Sequence, residues 1–208
     1  MLQPQAVIFD IGNVLIGWQP EAYYDAQIGP TRRQAFFDAV PIHAVNLEID
    51  RGAPFLGSLQ ELAGDYPDWR DEILGWHKGW LQMVQPVIEE SVATLLALKA
   101  KGVPVFALTN FGDETFEIAL KAFPFLHTFD RAFVSARLRL IKPDPAIYAH
   151  VEAVTGLKGD QILFTDDRPE NIAAAAERGW QTHLFTGWRA WAQQLVATGL
   201  LTEKEAGL

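Results

Sequence analysis

Short apolar runs of strand length recur along the chain and predict its architecture. AVIFDI (6–11), VPVFALT (103–109), RAFVSA (131–136), QILFTD (161–166) and QTHLFT (181–186) are the five. Runs without strict alternation suit strands covered on both faces, as in parallel sheets. Between the later ones lie helix patterns: IEESVATLLALKAKG, TFEIALKAF, PAIYAHVEAVTGL and PENIAAAAERG. Several end on or near glycine, which readily takes the left-handed conformation that closes a helix. Strand and helix in alternation predict an α/β fold, a mostly parallel sheet with helices on both faces. Ligands in such sheets bind beyond the carboxyl ends of the strands.

Residues 16–88 break this alternation. TRRQAFFDAV, PFLGSLQELAG and WRDEILGWHKGWLQMV are better read as amphipathic helices than as strands. The segment also holds four of the seven tryptophans: Trp18, Trp69, Trp76 and Trp80. The simplest division is an α/β core of residues 1–15 and 89–208, with a small helical domain, 16–88, inserted after the first strand and hanging over its end. The competing reading is that these helices merely thicken the core.

Composition narrows the function classes. Hydrophobic residues make up 49% and charged residues 21%, the balance of a folded globular chain of 208 residues. The formal charge of −9 disfavours general binding to nucleic acid or anionic membrane, because the long-range field repels both. A small anionic substrate therefore needs a local positive site. The absence of cysteine excludes disulfides, thiolate metal sites and cysteine nucleophiles. Neither a basic segment leading into an apolar N-terminal run nor an 18-residue apolar stretch is visible, so the expectation is a cytoplasmic protein. A homodimer is compatible with all of this.

Four places at or just after strand ends could carry chemistry. Asp10 closes the first run, where an acid starts a turn as readily as it reacts. Thr109 and Asn110 follow the second, and both are ordinary turn residues. Lys142 opens KPDPAIYAHV, whose prolines set an extended entry to a helix. Asp166 and Asp167 close QILFTDD. Capping the next helix explains one of these acids but not two. Adjacent carboxylates raise each other's cost unless a cation sits between them, and hard oxygen ligands suit Mg²⁺.

In this order, FDIGNV, LTN, IKPDPAIY and FTDDRPEN resemble the motifs of the haloacid dehalogenase (HAD) superfamily of hydrolases, over nearly the whole chain. One branch of that superfamily inserts a helical cap where residues 16–88 stand. The resemblance implies that Asp10 is the nucleophile, and that Thr109 and Asn110 hold the substrate's anionic oxygens. It implies that Lys142 neutralises Asp10 and the developing charge. It further implies Mg²⁺ held by Asp10, Asp166, Asp167 and the backbone carbonyl of Gly12, with Asn171 as a supporting hydrogen-bonding group.

Gly12 departs from the pattern. Phosphatases of this superfamily typically carry an aspartate there, which protonates the leaving alcohol and then activates water. Such help is typically worth ~10²–10⁴-fold. Without it the rate is expected to depend steeply on leaving-group acidity, unless another group supplies the proton. Dehalogenating relatives also lack this acid, since halide leaves without a proton. They need no metal, however, usually lack the acidic pair, and tend to carry threonine where Val14 stands. The motifs look most like those of sugar-phosphate phosphatases, some of which tolerate glycine here. The first expectation is thus a Mg²⁺-dependent phosphatase for a small phosphorylated metabolite, the second a 2-haloacid dehalogenase. The third is a catalytically weak member that binds a metabolite or partner.

Outside the motifs, His183 and Glu21 are candidates to replace the lost acid, although a packed histidine and an exposed acid are commoner. Arg51, in NLEIDRG (46–52), could meet substrate or form a surface ion pair. The tryptophans could shield the site from water or simply make core.

Overall fold

The computed structural model describes residues 3–208, so the first two residues assigned to the core lie outside it. Strands β1 (Ala6–Phe9), β2 (Val105–Thr109), β3 (Arg131–Val134), β4 (Ile162–Asp166) and β5 (Gln181–Leu184) form one sheet in the order β3-β2-β1-β4-β5. Every pairing is parallel. Each expected run contains one strand, shorter than the run itself. RAFVSA ends early because Ser135 opens a short helix, α8 (Ser135–Leu138), and turns its hydroxyl to the neighbouring loop.

The buried side chains of β1 alternate between two cores, as a period of two requires. Val7 and Phe9 pack with helices α6 (Glu89–Ala100), α7 (Asp113–Ala122) and α11 (Trp188–Ala197). Ile8 faces the other way, toward α9 (Pro145–Thr155) and α10 (Pro169–Glu177). Phe9 meets Trp191 edge to face at 5.3 Å, and both are fully buried. A short α12 (Glu203–Ala206), closed by a capping box on Thr202 and Glu205, packs on α6 and α11.

Five helices without a sheet strand separate β1 from α6: α1 (Pro20–Ile28), α2 (Pro30–Ala39), α3 (Ile42–Asp50), α4 (Phe55–Asp65) and α5 (Arg70–Met83). Three answer to the expected segments. The other two, α1 and α3, are only nine residues long, and helices this short owe their stability to tertiary packing. Trp76 is the centre of this layer, fully buried among Trp18, Tyr24, Phe37 and His43, with its Nε1 donating to Asn46 Oδ1 at 3.2 Å. Burying a ring of this size contributes about 3 kcal/mol. The tryptophans therefore divide, Trp76 making core while Trp18 and Trp80 line the cavity described below.

The chain passes from the sheet layer into the helical layer and back through two segments that run side by side. Ile16 bridges Val87, Gly17 N–H donates to Pro86 O at 2.8 Å, and Ile88 N–H donates to Leu15 O at 2.8 Å. Gly17 permits this approach, since a Cβ there would stand 2.3 Å from Gln85 O.

Candidate active site

The carboxyl ends of β1, β2 and β4 meet beneath the helical layer and floor a cavity of about 650 Å³. Asp10 is held one residue beyond β1 by its N–H, which donates to Thr165 O at 2.9 Å and so continues the ladder. Its Oδ1 accepts from the N–H of Ile11 at 2.7 Å and pairs with Lys142 Nζ at 3.0 Å.

Lys142 is buried, its side chain 1% exposed. A buried ammonium needs partners for three donors. It has them in Asp10, in Asp166 Oδ2 at 2.6 Å and in the carbonyl of Leu108 at 2.8 Å. Burial alone lowers a lysine, but Asp10 and Asp166 outweigh it and hold Lys142 above its ordinary value. Asn110 fixes the backbone beneath this lysine: its Nδ2 donates to Lys142 O at 3.0 Å, and its Oδ1 accepts from Lys142 N–H at 2.9 Å. Asn110 thus has a structural task besides the substrate contact expected of it. Thr109, the last residue of β2, is buried and lines the cavity.

The two acids that close QILFTDD differ in their surroundings. Asp166 is fully buried and hydrogen-bonded on both oxygens. Oδ1 accepts from Arg168 N–H and Asn171 Nδ2, and Oδ2 accepts from Lys142 Nζ and again from Asn171 Nδ2. Asp167 is partly exposed, with one side-chain donor, Asn13 Nδ2, at 3.0 Å from Oδ2. Asp10, Asp166 and Asp167 each offer an oxygen within 4.8 Å of the others. Burial, then the charges of Asp166 and Asp167, push Asp10 up to about 7 against the pull of Lys142. Burial raises Asp167 too.

Asn13 was given no role by its motif, yet it links the loop after β1 to that after β4. It takes a left-handed φ of 53°, which asparagine tolerates better than most residues, and its Oδ1 accepts from Trp18 N–H at 2.9 Å. Gly12 lines the cavity between Asp10 and Asn13, with nothing within 4 Å of the place a Cβ would occupy.

The roof comes from the helical layer. His43, Asn46, Leu47, Asp50 and Arg51 reach the cavity from α3 and its C-terminal turn. Arg51 also pairs with Glu48 at 2.5 Å, and both side chains are about half exposed. Asp50 escaped sequence reasoning although it stands beside Arg51. His183 does not reach the cavity: it sits on β5 against Trp191, 5.4 Å between ring centroids. Glu21 lies exposed in the first turn of α1, and its charge acts on His43 rather than on Asp10. Neither lines the cavity.

Comparison with known proteins agrees with this geometry. Residues 4–179 match the model of the haloacid dehalogenase-like hydrolases. The sesquiterpene phosphatase astK of Aspergillus oryzae is 28% identical over 84% of this chain and 86% of its own. The (S)-2-haloacid dehalogenase 4A of Burkholderia cepacia is 29% identical over 45% of this chain and 40% of its own. A HAD family enzyme of Bacteroides thetaiotaomicron, solved with magnesium and inorganic phosphate, superposes with a TM-score of 0.68 over 88% of this chain and 95% of its own, at 21% identity. Among the described residues no helix is long and apolar enough to cross a membrane. A parallel five-stranded sheet under a helical layer, with acids and a lysine at its strand ends and a family match over most of the chain, makes this protein a HAD-like hydrolase.

Proposed function

We propose that this hydrolase is a Mg²⁺-dependent phosphatase for a small phosphorylated metabolite such as a sugar phosphate, with Asp10 as the nucleophile and residues 16–88 acting as the cap. The observation that carries the reading is the charge balance at the strand ends. Three carboxylates and one ammonium converge there with a formal sum of −2. A phosphate monoester brings roughly two more negative charges, so the site needs a divalent cation to receive it.

The donor set fits Mg²⁺, which takes hard oxygens and keeps several waters. Asp10, Asp167 and the carbonyl of Gly12 would hold it. The four hydrogen bonds on Asp166 leave that residue least to offer an ion and suit it to positioning Lys142 and Asn171. When bound, the cation supplies charge neutralisation at the transferring phosphoryl group. Asp10 attacks phosphorus and forms an aspartyl phosphate, splitting one hard displacement into two easier ones. Lys142 screens Asp10 from the incoming anion and stabilises charge on the phosphoryl oxygens, beside the hydroxyl of Thr109. Water then opens the intermediate.

Gly12 favours a second reading, a 2-haloacid dehalogenase with an ester formed on the same Asp10. A panel of phosphate esters and 2-haloacids, with Mg²⁺ and with excess chelator, separates the two. Phosphate release that chelator abolishes is expected. Halide release that survives chelator would replace the phosphatase by the dehalogenase.

A further inference from the structure

A carboxyl group stands on the roof of the cavity whose floor carries Asp10. Asp50 ends α3 and is held by two hydrogen bonds. Ser135 Oγ donates to its backbone carbonyl at 2.6 Å, and Asn46 Nδ2 donates to its Oδ2 at 3.2 Å, while the Gly112 N–H faces its carboxylate. Gly112 makes the approach feasible because it lacks a Cβ, which would stand 2.7 Å from Ile49 Cγ2. Its φ of −67° is ordinary, so space rather than conformation demands glycine. Phe111 and Gly112 directly follow Thr109 and Asn110. One loop therefore positions both the proposed phosphate-holding residues and the carboxyl above them.

Burial first, and then the charge of Asp10, push Asp50 up to about 7. It is thus a proton donor and acceptor near neutrality, where acid–base catalysis works best. Other titratable groups on the elements around it are His43 and Arg51 on its own helix and turn, Arg139, whose guanidinium lies against Gly52, and Glu114 of α7, which accepts from Phe55 N–H.

We propose that Asp50 is the general acid–base of this enzyme, supplied from the helical layer in place of the acid absent at Gly12. The assignment rests on the phosphatase reading above. In the first step the Asp10–phosphorus bond forms, the ester P–O bond breaks, and the Asp50 proton goes to the leaving oxygen, releasing a neutral alcohol. In the second, water attacks phosphorus, its proton goes to the Asp50 carboxylate, and the Asp10–phosphorus bond breaks. Inorganic phosphate leaves and both aspartates return to their starting states. Asp50 thereby removes the reason to expect a steep dependence on leaving group in the wild type.

The experiment measures kcat/KM with Mg²⁺ for phosphate esters graded by leaving-group pKa, in wild type, Asp50→Asn and Asp50→Asn with Gly12→Asp. A shallow wild-type dependence is expected. The Asn variant should lose ~10²–10⁴-fold on alkyl esters and less than about tenfold on aryl esters, whose leaving groups need no proton. Gly12→Asp should recover much of the alkyl-ester loss, since nothing obstructs a side chain at position 12. Equal loss across the series, or no loss, overturns the assignment while leaving the phosphatase standing. A wild type that releases phosphate from no ester removes the phosphatase reading and the assignment together. Should Asp50→Asn fail to fold, the wild-type pH profile decides. The alkyl-ester rate should fall above about pH 7 while the aryl-ester rate holds, and parallel profiles would overturn the assignment.

Discussion

The floor and the roof of the same cavity are built on opposite terms. On the floor Lys142 spends all three donors within the protein, and Asp166 is bonded on both oxygens. On the roof Asp50 keeps few partners, and Arg51 shares an exposed pair with Glu48. The densely partnered Lys142 and Asp166 cannot rearrange cheaply and suit a fixed task, which in the proposed reaction is receiving one phosphoryl group in one geometry. A sparsely partnered roof can change residue by residue, and in the proposed reaction it is the side that meets the leaving group.

The comparison breaks first at the proposed nucleophile. Asp10→Asn should lower turnover by roughly 10⁴-fold or more with the fold intact by circular dichroism. A folded variant with near wild-type rate would remove Asp10 from the mechanism. Next, Lys142→Met should cost about 3–5 kcal/mol in denaturant unfolding, because Asp10 and Asp166 then stay buried without their cation. A loss under about 1 kcal/mol would show that the floor does not depend on this pairing.

Asp167 tests the ion. Wild type should gain about 2.7 kcal/mol of stability at a hundredfold excess of Mg²⁺ over its Kd, and Asp167→Ala should lose most of that gain. An equal Mg²⁺ shift in the two proteins would place the ion elsewhere.

The smallest effect belongs to the roof and is read as stability against pH. The folded value of Asp50, about 7, lies above its ordinary 3.8, so the stability it contributes is fully present below about pH 4 and lost as pH rises through 7. That difference corresponds to about 4 kcal/mol at full burial, and the partial exposure of Asp50 reduces it. Relative to wild type, Asp50→Asn should therefore gain on the order of 2 kcal/mol between pH 4 and pH 8. A pH-independent difference would show that Asp50 is not held in a costly charged state.

The floor was legible in the sequence and most of the roof was not, for a physical reason. Asp10, Thr109, Asp166 and Asp167 sit at or beside strand ends, and a strand announces itself by a local apolar run. Lys142 announces itself by the prolines that follow it. Asp50 owes its place to the docking of α3 on the Phe111–Gly112 loop, a contact between residues about sixty positions apart. No local pattern encodes that contact. In NLEIDRG the arginine is the conspicuous residue, yet the structure pairs Arg51 with Glu48, and Asp50 beside it lines the cavity. His183 and Glu21 failed for the converse reason: suitable chemistry, in places that do not open on the cavity.

The helical layer is fastened to the sheet layer at three separated points: the paired linkers at Ile16 and Val87, Ser135 on Asp50, and Glu114 on Phe55. A lid swinging on its linkers would have to tear the other two fastenings at every turnover. Traffic through this enzyme is therefore expected to use a standing doorway, with molecules sorted by girth before any affinity is tested. Hydrogen exchange can witness it. The Phe55 amide, bonded to Glu114 Oε1 at 2.8 Å, should exchange as slowly as amides of the sheet, whereas rapid exchange there would mean that the door swings after all.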